Sequence, residues 1–339
     1  MRYENVYIEG MGYVVPERVI STDWFEEELD PVYKKLRIPK RFFQRITGIE
    51  ERRWWPDDWQ PSDGAAEAGR RAIHNASMTN EDIECLVYAG VCHDYIEPAN
   101  AVFVHDKIGL RPEALNFDVV NACLGFLNGM VIVANMIELG QIEVGLVVAA
   151  ESPQEGQLAT MDHMLNNGVG KDDIRDNLAS FTLGSAAVGM VLTSKERSTT
   201  GKRLLGGAHY SGTQNNKLCV AQRTWMHTNS AELLEKGTLV VLETWDRFKQ
   251  EMGWSNDDID RLFTHQVSEP QRVDALKALH YPKHGKDYPN LKYMGNTGSV
   301  AAPLCMAMGI HDGILNDGDK VALLGVGSGI NSIILGIQW

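Results

Sequence analysis

The chain has 339 residues, of which 44% are hydrophobic and 23% charged, and its formal net charge is −13. This length suits about two globular domains, and the negative charge argues against binding to nucleic acid or to anionic membranes. The sequence has no apolar run of about 18 residues, so we expect no transmembrane helix, and its start, MRYENVYIEGMG, lacks the basic and apolar regions typical of a secretory signal. We therefore expect a cytoplasmic protein.

In the first half of the chain, apolar runs alternate with segments of helical pattern. Residues 4–10 predict a strand, and residues 62–75 predict a helix capped by Ser62 or Asp63. Short apolar runs bounded by polar residues are typical of buried strands. Such runs occur at residues 85–91, 116–120, 143–152 and 185–194.

The second half repeats this alternation. The polar segment TSKERSTTGKR at 193–203 separates the halves, and we place the boundary between residues 195 and 196. Strands that alternate with helices predict an α/β fold in which helices pack on sheets. The predicted elements are strands at 204–212 and 260–266, a helix at 238–252, and two strands at 319–329 and 331–339 joined by a tight glycine turn.

Cysteine usage gives no sign of a disulfide framework or a metal site. The chain has five cysteines, an odd number at wide spacing, and it has neither a CxxC pair nor an HExxH motif. We therefore expect no structural metal. The cysteines are Cys85, Cys92, Cys123, Cys219 and Cys305.

Cys123 lies in the stretch VVNACLGF, between a predicted strand and a predicted helix that ends near Gly140. Apolar residues fall on nearly every side of that helix, so we expect it to be buried all round. A helix N-terminus lowers the pKa of a thiol, and its amides can donate to an oxyanion. Cys123 is therefore either a nucleophile or a small core residue, and the other four cysteines are interpreted as core residues.

A cysteine nucleophile needs partners, and two segments of the second half offer them. THQVSEPQ places His265 at the end of a predicted strand, and YMGNTGSVAAP places Asn296 in a glycine-flanked loop before a helix of small residues. Each motif alone has a simpler explanation, because histidine has many roles and a Gly-Asn-Thr-Gly run is usually a turn. Their order after the cysteine makes the combination informative.

The ordered set NACLGF, HQVS, GNTGS and GVGSG, together with TGIEERR, resembles the thiolase superfamily, and within it the ketoacyl synthase III branch. The resemblance covers essentially the whole chain. It implies a duplicated α-β-α-β-α fold of five layers, a homodimer, no cofactor, and Cys123 as the acylated nucleophile. It also implies that His265 and Asn296 polarise the thioester carbonyl of the second substrate and stabilise its enolate.

The loop GVGSG at 325–329 superficially suggests a dinucleotide-binding loop, but its glycine spacing is wrong and no long helix follows. The family resemblance instead implies that the amides of Cys123 and Ser328 form an oxyanion hole. Ser328 stands where relatives in fatty-acid synthesis usually have glycine, a change that a backbone donor tolerates.

Glu97 lies in the stretch HDYIEP and is, on its own, most simply an acid in a solvated loop. However, this stretch resembles the DYxEP loop of the OleA family, which condenses two acyl-CoA thioesters head to head. That resemblance implies that Glu97 reaches across a dimer interface and acts as the general base. The segments NKLC, ASFTLGSAA and ALLGVGSGINS also resemble that family.

The resemblance implies an acyltransferase that performs a non-decarboxylative Claisen condensation of two fatty acyl-CoA molecules. Its product would be a 2-alkyl-3-ketoacyl thioester, released as the β-keto acid and passed to olefin-pathway enzymes. Three alternatives remain open at this point: a decarboxylating 3-oxoacyl-carrier-protein synthase III, a synthase of the hydroxymethylglutaryl-CoA type, and a non-catalytic subunit. The donor could be acyl-CoA or an acyl carrier protein.

Two further clusters allow two interpretations each. The arginines near residue 50 form either a solvated face or a landing site for a phosphate-bearing carrier. The nearby tryptophans either stack on the adenine of CoA or cover an edge of the core. These residues are Arg41, Arg45, Arg52, Arg53, Trp54, Trp55 and Trp59.

Overall fold

The fold was obtained as a computed structural model that describes residues 1–281 and 286–339. Its strands are β1 (Val6–Val14), β2 (Arg18–Ser21), β3 (Glu51–Trp54), β4 (Cys85–Tyr88), β5 (Leu115–Asp118), β6 (Val144–Glu151), β7 (Ala186–Ser194), β8 (Arg203–Ser211), β9 (Cys219–Gln222), β10 (Trp225–Thr228), β11 (Arg261–Thr264), β12 (Lys320–Gly327) and β13 (Asn331–Gln338). Its α-helices are α1 (Thr22–Glu28), α2 (Asp30–Leu36), α3 (Phe42–Thr47), α4 (Pro61–Asn75), α5 (Asn100–Ile108), α6 (Gly125–Glu138), α7 (Gln154–Asn166), α8 (Lys171–Asn177), α9 (Ser230–Met252), α10 (Glu269–Ala278), α11 (Leu291–Met294) and α12 (Ala301–His311).

The large sheet has the strand order β11-β12-β13-β8-β1-β7-β6-β4-β5. Within it, β4 runs parallel to β6, which is followed by the antiparallel strands β7 and β1. The same pattern recurs where β11 runs parallel to β12, followed by the antiparallel strands β13 and β8. The two sets meet between β1 and β8 through the single pair Tyr7↔Arg203. This recurrence confirms the duplicated fold that the family resemblance implied.

Helices cover the two sets of strands from outside and fill the space between them. The helices α4 and α5 pack on one outer face, and α9 packs on the outer face formed by β8 and β13. Buried residues of α6 and α12 share the central core with β7, β12 and β13. The resulting order of layers is α-β-α-β-α. We propose that the two halves divide between residues 195 and 196, in the segment that joins β7 to β8.

The helix boundaries depart from the predicted ones for local reasons. Helix α4 begins at Pro61, and its N-cap is Gln60. The backbone amide of Gln60 donates to the carboxylate of Asp63 at 2.8 Å. Ser62 is therefore inside the helix and does not cap it. Helix α9 begins at Ser230 because Asn229 caps it, well before the apolar stretch that the sequence pattern detected.

The prediction that α6 is buried all round is wrong. Its core face is fully buried, but Asn135 is exposed and Val131 and Ile132 are only partly buried. The N-terminal helices α1–α3 and the hairpin β9–β10 were not predicted. Of these elements, α3, β9 and β10 contribute residues to the wall of the candidate site.

Candidate active site

Cys123 stands in a sharp turn between β5 and α6. Ala122, the residue before it, adopts the left-handed conformation with φ 45°, and the amide of Leu124 donates to the carbonyl of Asn121 at 2.9 Å. A Cβ added at Gly125, the first residue of α6, would lie 2.2 Å from the carbonyl oxygen of Ala89. Only glycine therefore lets the helix start so close to the strand end, and this close approach presents Cys123 at the helix N-terminus.

The thiol of Cys123 is not activated at rest, in contrast to the sequence prediction. Burial, aided by the nearby Glu151 and Cys219, raises its pKa to about 12. Such a shift corresponds to about 4 kcal/mol, whereas a helix N-terminus typically supplies about 0.3–1 kcal/mol. Desolvation of the thiolate therefore outweighs the helix and favours the protonated thiol in the resting site.

His265 follows β11 directly, as predicted, and its backbone amide donates to the carbonyl of Leu324 at 2.9 Å. Burial lowers its pKa to about 4. Its Nδ1 atom is buried and has no hydrogen-bond partner among the described residues. With no group to share a second proton, the imidazole is neutral at pH 7.

The residue after His265 fixes the strand end. Gln266 is buried, its Nε2 donates to the carbonyl of Tyr288 at 2.9 Å, and its Oε1 accepts from the amides of Asn290 and Leu291, both at 3.3 Å. This amide thus ties the end of β11 to the segment that leads into the Asn296 loop.

Asn296 lies in the loop between α11 and α12, as the sequence predicted. Its backbone amide donates to the carbonyl of Thr182 at 2.8 Å, and its carbonyl accepts from the amide of Gly184 at 2.9 Å. Its Oδ1 accepts from the amide of Gly298 at 3.0 Å. The oxygen of the carboxamide is therefore occupied by the loop, which leaves Nδ2 as a donor at the cavity.

The end of β12 packs directly on the cysteine turn. A Cβ added at Gly327 would lie 3.1 Å from the amide nitrogen of Cys123 and 3.5 Å from its Cβ. This close approach leaves little room for a side chain at position 327 and brings the next residue, Ser328, near Cys123. The two amides proposed from the sequence as oxyanion donors therefore belong to adjoining segments.

These residues meet in one cavity of about 570 Å³, which Cys123, His265, Asn296 and Ser328 all line. The exposed side chains Arg37 and Lys171 also line it. Its wall is otherwise largely apolar and includes Ile38, Phe42, Ile174, Leu233, Val241 and Leu276. The cavity can therefore hold an acyl chain against a cysteine, with cationic side chains available for an anionic group.

Glu97 does not line this cavity within a single chain. It lies on an exposed loop beside Ile96, whose side chain is fully exposed, and Tyr95, which is 61% exposed. The base of the loop is fixed because Asp94 accepts from the amide of Ser62 at 3.0 Å and its own amide donates to Asn100 at 2.9 Å. The loop is anchored at its base and presents apolar side chains at its tip.

The predicted basic landing site near residue 50 does not exist as one patch. Arg52 is fully buried, stacks against the ring of Phe25 at 4.8 Å, and donates to the carbonyl of Phe181 at 2.7 Å. Burial lowers its pKa to about 9. Arg53 is partly buried and pairs with Glu51, so only Arg41 and Arg45 face solvent.

The tryptophans cover the core edge and do not line the cavity. Trp54 and Trp55 are both buried, with their Nε1 atoms donating to the side chain of Gln157 at 2.6 Å and to the carbonyl of Glu151 at 2.9 Å. Trp59 stacks on Trp55 with ring centroids 5.3 Å apart. The core interpretation is therefore correct for this cluster.

Two cysteines behave differently from the prediction that all but Cys123 are core residues. Cys85 and Cys305 are buried, but Cys219 lines the cavity together with Cys123, and Cys92 is only partly buried. The sequence analysis also missed Glu151, a buried carboxylate that ends β6. Its signal was visible as a charged residue at the end of an otherwise apolar strand.

Within residues 1–281 and 286–339, no helix combines the length and the apolar character needed to cross a bilayer. The same residues contain no cluster of three or more histidine, cysteine or carboxylate side chains arranged to hold a metal ion.

Comparison with known proteins gives a consistent family. Residues 117–209 match the model described as 3-oxoacyl-[acyl-carrier-protein (ACP)] synthase III, and residues 250–339 match its C-terminal counterpart. The chain is 37% identical to an acyl-CoA:acyl-CoA alkyltransferase of Shewanella oneidensis and 34% identical to one of Xanthomonas campestris, in each case over 100% of both chains. It is 28% identical to a β-ketoacyl-[acyl-carrier-protein] synthase III of Fusobacterium nucleatum over 99% of both chains.

Solved structures of Xanthomonas campestris OleA superpose on the chain with a TM-score of 0.97 at 33% identity, covering 100% of this chain and 98% of the other. They include variants in which a cysteine, a glutamate or a histidine is replaced. One cysteine variant, also at 33% identity and a TM-score of 0.97, was solved with bound lauric acid and lauroyl-CoA, and there the alignment covers 99% of this chain and 100% of the other.

Proposed function

Because the chain belongs to the family of acyl-CoA:acyl-CoA alkyltransferases, we propose that it joins two fatty acyl-CoA thioesters by a non-decarboxylative Claisen condensation. The observation that carries this proposal is the shared cavity, in which Cys123, His265 and Asn296 stand at an apolar space large enough for an acyl chain. Greater identity to the alkyltransferases than to the ketoacyl synthases favours it over a malonyl-dependent reaction.

In the first half-reaction, the sulfur of Cys123 attacks the carbonyl carbon of one acyl-CoA. The thiol proton passes to the departing CoA sulfur as the carbon–sulfur bond to CoA breaks, which leaves an acyl-cysteine. The amides of Cys123 and Ser328 donate to the oxygen that gains negative charge. Because the resting thiol has a high pKa, these donors must lower the barrier by stabilising the charge when it forms.

In the second half-reaction, a second acyl-CoA loses its α-proton to Glu97 and becomes an enolate. Neutral His265 and the Nδ2 group of Asn296 donate hydrogen bonds to the enolate oxygen. The enolate carbon attacks the acyl-cysteine, and Cys123 leaves and regains a proton. The product is a 2-alkyl-3-ketoacyl-CoA, and water then releases the β-keto acid and CoA.

We propose that Glu97 reaches the cavity of a second copy, so that the active form is a homodimer. The support is the exposed loop with apolar Tyr95 and Ile96 at its tip, which a partner surface can cover. In addition, the glutamate, cysteine and histidine replaced in the Xanthomonas structures are spaced along their chain as Glu97, Cys123 and His265 are here.

The cationic side chains Arg37 and Lys171 at the cavity support a CoA donor, because they complement its phosphates. An acyl carrier protein presents a phosphate as well, so a comparison of the two acyl donors is needed to distinguish them. We also propose a cytoplasmic location, where acyl-CoA is available, and an olefin-pathway enzyme as the consumer of the β-keto acid.

The test is incubation of the purified protein with myristoyl-CoA alone, without any malonyl thioester. Free CoA, the acyl adduct on Cys123 and the products are followed by mass spectrometry. We expect an adduct on Cys123 and a β-keto acid or ketone with about twice the chain length. If the adduct forms but condensation occurs only after malonyl thioester is added, the result would contradict the proposal and favour the decarboxylating synthase. Replacing myristoyl-CoA by myristoyl carrier protein identifies the preferred donor.

A further inference from the structure

The buried carboxylate of Glu151 connects two loops of the site. Its Oε1 accepts from the amide of Val91 at 3.0 Å and from the amide and hydroxyl of Ser299 at 3.2 and 2.5 Å. Its Oε2 accepts from the amide of Cys92 at 3.3 Å. One side chain, only 5% exposed, therefore holds backbone segments that are far apart in the sequence.

Each of these segments leads to a residue of the proposed mechanism. Val91 and Cys92 begin the loop that carries Glu97 at its tip. Ser299 follows the turn in which the amide of Gly298 donates to Oδ1 of Asn296 at 3.0 Å. Glu151 thus anchors, within one chain, the loop whose Glu97 serves the partner's cavity and the turn that holds Asn296 in its own cavity.

The carboxylate is also unusual in its charge environment. Among the ion pairs of the described residues, none involves Glu151, although the side chain is buried. Burying a carboxylate without a cation is costly even when hydrogen bonds satisfy it. Its charge contributes to the raised pKa of Cys123, so it also opposes early ionisation of the nucleophile.

We propose that Glu151 is a positioning residue, which holds the loop of Glu97 and the loop of Asn296 of one chain in a fixed arrangement and so serves the partner's cavity through Glu97 and its own cavity through Asn296. It does not line the cavity and therefore does not touch the substrate. The inference deepens the proposed condensation and rests on it. Its consequence is that Glu151 serves the second half-reaction, while its negative charge restrains the thiol used in the first.

The test compares Glu151→Gln and Glu151→Asp with a matched control, Glu84→Gln. Glu84 is also a carboxylate that accepts from backbone amides, those of Glu143 and Val144 at 2.5 and 3.3 Å, but these lie at the opposite end of β6. In Glu151→Gln the remaining side-chain oxygen can still accept the hydrogen bonds from Val91 and Ser299. The new NH₂ group faces the backbone amide of Cys92, and two N–H donors cannot bond to each other.

For Glu151→Gln we expect the kcat of condensation to fall at least about tenfold with little change in KM. Alkylation of Cys123 by iodoacetamide should accelerate, because the neutral amide no longer opposes formation of the nearby thiolate. Glu151→Asp keeps the charge but shortens the reach, so condensation should fall while alkylation stays within about twofold of wild type. Hydrogen exchange should rise at residues 91–92 and 298–300 in both variants, and only at 143–144 in the control.

Wild-type condensation in Glu151→Gln would overturn the inference. So would an equal loss of acylation and condensation, because that pattern indicates a general structural defect. If Glu151→Gln does not fold, Ser299→Ala removes only the 2.5 Å hydroxyl bond, and unchanged exchange and condensation in that variant would also refute the proposal. Failure of the wild-type protein to condense myristoyl-CoA would instead refute the proposed function, while the exchange data would still report on the coupling of the loops.

Discussion

Lowering the pH should destabilise the protein through His265. Burial holds its pKa at about 4, whereas the unfolded chain has an ordinary histidine pKa of 6.5. Above pH 6.5 the imidazole of His265 is mostly neutral in both the folded and the unfolded state, so its titration does not lower the free energy of unfolding. As the pH falls from 6.5 to 4, the histidine of the unfolded state binds a proton and the buried His265 does not. The free energy of unfolding therefore decreases.

The two pKa values set the size of this effect. At pH 5 the unfolded histidine is almost fully protonated and the folded one is mostly neutral, which corresponds to about 2 kcal/mol of lost folding free energy. Below pH 4 the loss levels off at about 3 kcal/mol. The same values leave about nine tenths of folded His265 neutral at pH 5, so it should remain a hydrogen-bond donor there.

The assay is urea unfolding of the wild-type protein and of His265→Gln at pH 7.5 and pH 5. The wild type should lose about 2 kcal/mol more between these values than the variant does. His74→Gln, at an exposed histidine on α4, is the matched control and should behave as the wild type. If His265→Gln shows the same pH dependence as the wild type, burial does not keep the imidazole neutral and the assigned donor role loses its basis.

Three further changes test the site and its support. Glu97→Gln should keep acylation of Cys123 by myristoyl-CoA but lower condensation about 10²–10⁴-fold, measured by CoA release and product mass, because no base removes the α-proton; full condensation would contradict the role of Glu97. Ile96→Asp should dissociate the dimer in sedimentation and abolish condensation while acylation persists, and an unchanged dimer would place the interface elsewhere. Arg52→Met should lower the free energy of unfolding by about 1–3 kcal/mol, seen as a lower Tm, because a buried carbonyl loses its donor.

The sequence was informative about the site where function demands particular residue types in a particular order. Cys123, His265 and Asn296 were found from their motifs, and the structure brings all three to one cavity. The apolar strand runs were predicted because burial on both faces imposes a composition that can be read directly. The resemblance to a known family then supplied roles that spacing alone left open.

Other features depend on contacts that no local pattern contains. Glu151 was missed because its partners Val91 and Ser299 are distant in the chain. Arg52 was grouped with its basic neighbours, although the alternation along β3, in which Arg52 and Trp54 share the buried face, could have separated it. The thiol pKa of Cys123 was predicted with the wrong direction because desolvation depends on the finished cavity.

The pairing of β1 has a consequence for synthesis on the ribosome. Its register with β7 runs from Val6↔Ser194 to Val14↔Ala187. The strand β1 is therefore synthesised first but can pair with β7 only after β7, the last strand of the N-terminal half, has also left the ribosome. Translation at about 5–20 residues per second separates them by about 10–40 s. During that interval the nascent chain exposes an apolar strand with unpaired edges, which can pair with other chains. Early protection of residues 6–14 by a chaperone should therefore raise the yield of folded protein.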